Sequence, residues 1–181
     1  GLKQYLLDKK KEIKDLEVRE REGEIVRTKS FATAIIGPRR AGKSFFIFHT
    51  IKKEKLKDSS YIYVNFEDDE VRGAKRKEKV KLIDYHIEEY KQEPIFVFLD
   101  EIQSLEGWES FLYSLIEKKR YHILVSGSNS RFLSKEIATQ LRGRALTKAI
   151  FPFNFREYLK LKNFHLAEHL SSYEISKLKG Y

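Results

Sequence analysis

The sequence predicts an α/β fold, with a mostly parallel sheet covered by helices on both faces and an N-terminal helix ahead of it. Three observations carry that prediction. Continuous apolar runs of strand length alternate with helical patterns, as expected for strands buried on both faces. One run, Phe31 to Ile36, passes directly into Gly37-Pro38-Arg39-Arg40-Ala41-Gly42-Lys43-Ser44, which fits G-x-x-x-x-G-K-[ST] at every fixed position. Another, Ile95-Phe96-Val97-Phe98-Leu99, ends in Asp100-Glu101, and ligands of open parallel sheets gather at that edge.

The elements follow in order. Residues 2–22 read as a charged amphipathic helix, with Leu2, Tyr5, Leu6, Ile13 and Leu16 near helical spacing and Gly23 suited to its C-terminal cap. Such a helix covers one edge of the core. Phe31 to Ile36 is the first strand, and Phe45-Phe46-Ile47-Phe48 begins a helix reaching about Leu56. Tyr61 to Phe66, aromatic and β-branched, is the second strand. A helix covers Lys75 to Tyr90, and Pro94 introduces the strand Ile95 to Leu99. A helix from Trp108 to Lys119 leads to the strand Tyr121 to Val125. A short helix near Ser130 to Leu141 precedes a fifth strand ending at Phe151 and closed by Pro152; Phe155 to Leu161 starts a last helical region.

Composition narrows the class. The 181 residues suffice for one well-buried domain, and 41% hydrophobic content suits a globular fold, although 35% charged residues exceeds the usual value of about 25%. No apolar stretch approaches the roughly 18 residues of a membrane span, and no signal-peptide pattern is present. The absence of cysteine excludes disulfides and thiolate zinc sites, and a cytoplasmic location is the simplest expectation. Absent methionine, with abundant Lys and Glu, suits a thermophile. Lys and Arg outnumber Asp and Glu by 36 to 27, a net charge of +9 that favours anionic partners such as nucleotides, nucleic acids or acidic membrane surfaces without choosing among them. A start at Gly1 with no methionine, and an end at Leu178-Lys179-Gly180-Tyr181, lead us to expect further sequence.

The Gly-rich segment has a direct chemical reading. Gly37 and Gly42 carry no Cβ, so the backbone can curl around a polyphosphate with its N–H groups inward. The helix that follows adds unpaired N–H groups and a positive dipole end. Lys43 would reach the β- and γ-phosphates, and the Ser44 hydroxyl would bind Mg²⁺. The nucleotide-contacting stretch therefore runs from Gly37 through Pro38, Arg39, Arg40, Ala41, Gly42, Lys43 and Ser44 to Phe45.

Hydrolysis needs a metal shell and an activated water as well. Asp100 would hold Mg²⁺, through water, and Glu101 would act on the attacking water as a base or an orienting group. Ser126-Gly127-Ser128-Asn129-Ser130 follows the next strand, where Ser128 or Asn129 would contact the γ-phosphate or the water; the same residues also suit a turn and a helix N-cap. Leu141-Arg142-Gly143-Arg144 offers a guanidinium for charge on the γ-phosphoryl oxygens, from the same subunit or a neighbour, and reads equally as a surface loop of a basic protein. Glu67-Asp68-Asp69, after the second strand, lies at the same sheet edge, where one acid could join the metal or water network, although three neighbouring acids more often face solvent.

Together these stretches resemble the AAA+ ATPases, and most specifically the archaeal and bacterial AAA_14 group of predicted ATPases. The Walker A of Gly37 to Ser44 is followed by Asn65-Phe66-Glu67-Asp68, by Leu99-Asp100-Glu101-Ile102-Gln103 and by Gly107-Trp108. The likeness continues through Ser126-Gly127-Ser128 and Leu141 to Arg144, and ends in Pro152, Phe155, Glu157, Tyr158 and Leu159. The resemblance implies a P-loop NTPase three-layer sandwich with a five-stranded parallel core, ATP/ADP and Mg²⁺ as cofactors, and arginine action in trans within a homo-oligomer. It also implies a helical lid and further C-terminal sequence, often with a nuclease-like region. On it the chain divides into an N-terminal helix (1–24), a nucleotide-binding core (25–151) and the start of a lid or C-terminal region (152–181).

Two function classes follow. In the first, Mg²⁺-dependent ATP hydrolysis is coupled to conformational change of a nucleic-acid or protein partner, with no membrane involved. In the second, ATP gates a binding module that hydrolyses little. Intact Lys43, Asp100 and Glu101 favour the first. No N-K-x-D guanine-reading motif is present. The basic run Arg72 to Lys81 could meet nucleic-acid phosphates but reads more simply as a solvated helix start. His165 and His169 share one helix face but lack the third ligand of a zinc site.

Overall fold

A computed structural model describes residues 1–18, 26–128 and 143–150. The helix α1 (Leu2–Asp15) comes first. β1 (Ala32–Ile36), α2 (Lys43–Lys53) and β2 (Tyr61–Asn65) follow, with a single 3₁₀ turn at Asp58–Ser60. Next come α3 (Asp69–Gly73), α4 (Arg76–Lys79), α5 (Leu82–Tyr90), β3 (Phe96–Asp100), α6 (Trp108–Glu117), β4 (His122–Gly127) and β5 (Ala145–Ala149). The strands form one five-stranded sheet in the order β2-β3-β4-β1-β5, and every pairing is parallel. This is the α/β sandwich with an N-terminal helix that the sequence predicts.

The strand sequences are apolar throughout because both faces are buried, and their side chains alternate between two layers. Tyr61, Tyr63, Phe96, Phe98, Ile35 and Leu124 face the layer that holds Phe46, Ile47, Phe48 and Ile51 of α2. Ile62, Val64, Val97, Leu99, Ile123 and Val125 face the layer of α5 and α6, with Leu82, Trp108, Phe111 and Leu112. α1 lies along the edge strand β2 and reaches both layers, Leu2, Tyr5 and Leu6 in the second and Ile13 in the first.

Several boundaries differ from expectation. α1 stops at Asp15, where Leu16 turns extended, and not at Gly23, which lies outside the described residues. The helix expected over Lys75 to Tyr90 is broken. Ala74 is extended between α3 and α4, the Glu78 carboxylate accepts the Lys75 N–H at 3.0 Å to start a new turn, and Lys81 leaves helical geometry before α5. β4 runs on through Ser126 and Gly127 because its ladder with β1 continues to Ile36 opposite Gly127. Ser126 is therefore a strand residue, not part of a following loop. The expected helix near Ser130 to Leu141, Pro152 and all that follows lie outside the described residues, as do His165 and His169.

Candidate active site

Parallel pairing brings the C-terminal ends of β1, β2, β3 and β4 to one edge, and β4 lies between β1 and β3. The Gly37–Gly42 loop leaves β1 there. Gly37 is required by space: a Cβ on it would lie 2.0 Å from the Ile150 carbonyl oxygen. Gly42 is required by conformation, at φ +86° where the loop turns into α2. Between them the Ala41 N–H donates to the Pro38 carbonyl at 3.2 Å, and Ala41 is buried. Arg39 and Arg40 are exposed, and Arg39 pairs with Glu67 at 3.1 Å.

Lys43, in the first turn of α2, is only 4% exposed. Its Nζ donates to the carbonyls of Gly37 at 3.1 Å and Pro38 at 3.0 Å and stands 3.5 Å from Glu101 Oε1. Ser44 is half-buried and its hydroxyl bonds to Asp100. Phe45 is 47% exposed and packs edge-on against Phe48, with ring centroids 5.8 Å apart.

Asp100 continues the parity of Phe96 and Phe98, so it points to the α2 side and is fully buried. Tyr63 and Ser126, facing the same side from β2 and β4, both donate to it: Tyr63 Oη at 2.6 Å to Oδ2, and Ser126 Oγ to Oδ1. Burial raises the Asp100 carboxyl above the ordinary carboxylate value, hydrogen bonds from Ser126, Ser44 and Tyr63 oppose the rise, and the neighbouring Glu101 adds to it. Burial, then the charge of Asp100, pushes the Tyr63 phenol well up, so it remains a donor.

Glu101 follows in a left-handed turn at φ +48°. Its N–H donates to Ser126 Oγ at 3.0 Å, so one hydroxyl links both acids. Its carboxylate lies between Lys43 and Gln103, whose Nε2 donates to Oε2 at 2.7 Å. The site thus joins a Gly-containing loop at a helix N-terminus, a buried lysine, a hydroxyl beside a buried carboxylate, and a second carboxylate beside the lysine. Ser44 and Asp100 form the all-oxygen donor pair that suits a hard divalent cation.

Other expected residues stand elsewhere. Ser128 is half-buried at the end of β4, and Asn129 and Arg142 lie outside the described residues. Arg144 immediately precedes β5, and its carbonyl accepts the Ala32 N–H at the start of β1. That is the sheet edge opposite the P-loop, a strand length of about 17 Å away at ~3.3 Å per residue. Its guanidinium pairs with Glu117 and lies 5.5 Å over the Tyr113 ring. Arg144 is therefore not part of its own chain's phosphate site. The acids after β2 are also engaged away from Asp100: Glu67 with Arg39, Asp68 with Tyr5 at 2.7 Å and Lys9 at 3.1 Å, and Asp69 with Arg72 at 3.8 Å.

Tyr63 joins the candidate site unannounced by any motif, and Ser126 and Gln103, which the motif reading names without a role of their own, join it as partners of the two acids. Strand parity gives the signal for the first two, since Tyr63 and Ser126 share a face with Asp100 and a buried hydroxyl needs a partner.

A family model described as AAA domain, AAA_14, matches residues 29–159. The chain belongs to this AAA domain family. The match takes in the P-loop, Asp100, Glu101 and Arg144 and leaves α1 outside it. An uncharacterized protein of Methanocaldococcus jannaschii is 37% identical over 178 residues, 98% of this chain and 39% of that protein. An uncharacterized protein of Haemophilus influenzae is 32% identical over 136 residues, 74% of this chain and 34% of that protein. This AAA domain thus spans about two fifths or less of the length of those relatives. A solved replication initiator DnaA bound to AMPPCP and single-stranded DNA superposes with a TM-score of 0.49 at 16% identity, over 94% of this chain and 56% of that one. A likeness of that size speaks neither to ligand nor to partner. Among the described residues no helix is long and apolar enough to cross a membrane.

Proposed function

We propose that this AAA domain binds ATP with Mg²⁺ between the P-loop and the β3 edge and hydrolyses it. The observation that carries the reading is the placement of buried Lys43 Nζ 3.5 Å from Glu101, beside an Asp100 carboxylate that already binds the Ser44 hydroxyl. Lys43 would exchange the Gly37 and Pro38 carbonyls for phosphate oxygens, and the N–H groups of Arg39, Arg40 and residues 42–45 would line the polyphosphate. Ser44 and, through water, Asp100 would hold Mg²⁺, which neutralises charge on the phosphates. Glu101, released from Lys43 as the lysine engages phosphate, takes or orients the proton of the attacking water. Ser126 keeps Asp100 and the Glu101 backbone in register. Arg144, at the opposite edge, would serve a neighbouring subunit in a homo-oligomer, and turnover would be coupled to movement of a nucleic-acid or protein partner.

The contact of Glu101 Oε1 with Lys43 Nζ favours a second reading in which ATP gates a binding module and hydrolysis is slow. Titration calorimetry of MgATP into the protein and its Lys43→Ala variant tests the shared binding step. The variant should lose about 100-fold in affinity, roughly 2.7 kcal/mol, with its fold intact. Equal affinity in both proteins contradicts the site. Phosphate release by the wild type separates hydrolysis from gating.

A further inference from the structure

We infer that Gln103 is a positioning residue for Glu101, pinning one carboxylate oxygen so that the other is aimed into the phosphate cleft. The inference rests on the proposed hydrolysis and deepens it. The turn that carries Gln103 is rigid by construction. Glu101 is left-handed, the Ser104 N–H donates to the Glu101 carbonyl at 3.0 Å and the Leu105 N–H to the Ile102 carbonyl at 2.9 Å. Ile102 and Leu105, on either side, are fully buried plugs in the layer beneath α6. Between these two plugs the Gln103 side chain meets Glu101.

Chemistry fixes the orientation of its amide. A carboxylate only accepts, so the amide must turn its Nε2 to Glu101 Oε2, where it stands at 2.7 Å. The other end, Oε1, is then buried with no hydrogen-bond partner among the described residues. A buried acceptor without a donor works against the fold, and an apolar side chain of the same length would avoid that cost. The amide's compensating contact is with Glu101. The two holds on Glu101 also differ in kind. Lys43 Nζ is the group that phosphate would draw away, whereas Gln103 touches no part of the P-loop contacts described above and stays. Loss of the lysine contact would leave Oε1 of Glu101 open to the cleft while Oε2 remains anchored. Misplacement of a reacting group by about 1 Å costs on the order of 100-fold in rate, so an anchor of this kind acts on turnover and not on ATP affinity.

The test measures steady-state MgATP hydrolysis, and binding of a non-hydrolysable ATP analogue, for the wild type, Gln103→Leu, Gln103→Glu and both changes combined with Glu101→Gln. Leu keeps the bulk without a donor; Glu keeps the shape and repels Glu101. Both should lower kcat at least about tenfold, with KM and analogue affinity within about twofold of the wild type. Neither should change the residual rate once Glu101 is Gln, because no carboxylate is left to position. Thermal melts identify a variant that fails to fold, and the remaining variant then decides. A kcat within twofold of the wild type in a folded Gln103 variant, or an equal fractional loss in the Glu101→Gln background, overturns the inference and leaves the hydrolytic reading intact. Absence of hydrolysis by the wild type overturns both.

Discussion

Asp100 is a charge held inside the fold by three hydroxyls, from Ser44, Tyr63 and Ser126. Its carboxyl is raised by burial, which means that ionising it there works against folding, and the hydroxyls offset only part of that. Asn has nearly the same volume, and rotating hydroxyls can serve it as donors or acceptors. Asp100→Asn should therefore keep the melting temperature or raise it by a few degrees, while Mg²⁺-dependent turnover falls at least about 100-fold. A melting temperature well below the wild type would show that the carboxylate stabilises the fold. Lys43, Ser44, Asp100 and Glu101 were legible from motif spacing because phosphate and metal chemistry demand those residue types. Ser126 is hidden because the apolar run ends at Val125 and the small polar residues after it read as a loop. Gln103 was hidden because its role depends on a left-handed turn at a non-glycine residue, which no pattern announces.

The helix α1 is tied to the sheet through polar contacts at both ends of β2. At one end Tyr5 Oη donates to Asp68 and accepts the Asn65 N–H at 3.1 Å. At the other, buried Lys10 donates to the Asp58 carbonyl at 2.7 Å, lies 4.3 Å over the Tyr90 ring and faces His86 Nδ1 at 3.5 Å. The His86 Nε2–H donates to the Ser59 carbonyl at 3.0 Å. Burial, then the charge of Lys10, pushes His86 down to about 4 from 6.5, and burial pushes Lys10 down to about 8. Between pH 6.5 and 4 the unfolded chain takes up the His86 proton and the folded chain resists it, so stability falls as pH drops through that window, by on the order of 2 kcal/mol. Thermal melts at pH 7.5 and 4.5 should show a smaller acid shift in His86→Gln than in the wild type; equal shifts would contradict the assignment. At this scale most strands and the longer helices were legible from apolar runs. The break of the expected Lys75–Tyr90 helix into α4 and α5 is not, because it is set by the Glu78 contact to the Lys75 N–H and by docking of Leu82 into the core.

Sheet order decides what the whole molecule can do. The order β2-β3-β4-β1-β5 places Ser126 between the P-loop strand and the Asp100 strand, and the parallel pairing of β5 with β1 puts Arg144 at the end opposite the P-loop. The place of Ser126 between those strands is not readable from the chain, since strand order follows from long-range pairing and not from local pattern. Placed opposite the P-loop, Arg144 is the residue by which the proposed role in a neighbouring subunit's site can be tested. Arg144→Ala and Glu101→Gln proteins should each be slow alone. Mixed, they should recover on the order of a quarter of wild-type activity through random pairing in a cyclic assembly. No recovery would remove the role in trans.

The proposed function turns on hydrolysis by Glu101 at a phosphate site built by Lys43. Phosphate release from MgATP by the wild type and by Glu101→Gln, at saturating nucleotide, tests it most directly. The variant should still bind ATP and release phosphate at least about 100-fold more slowly. Equal release from the two proteins would contradict it.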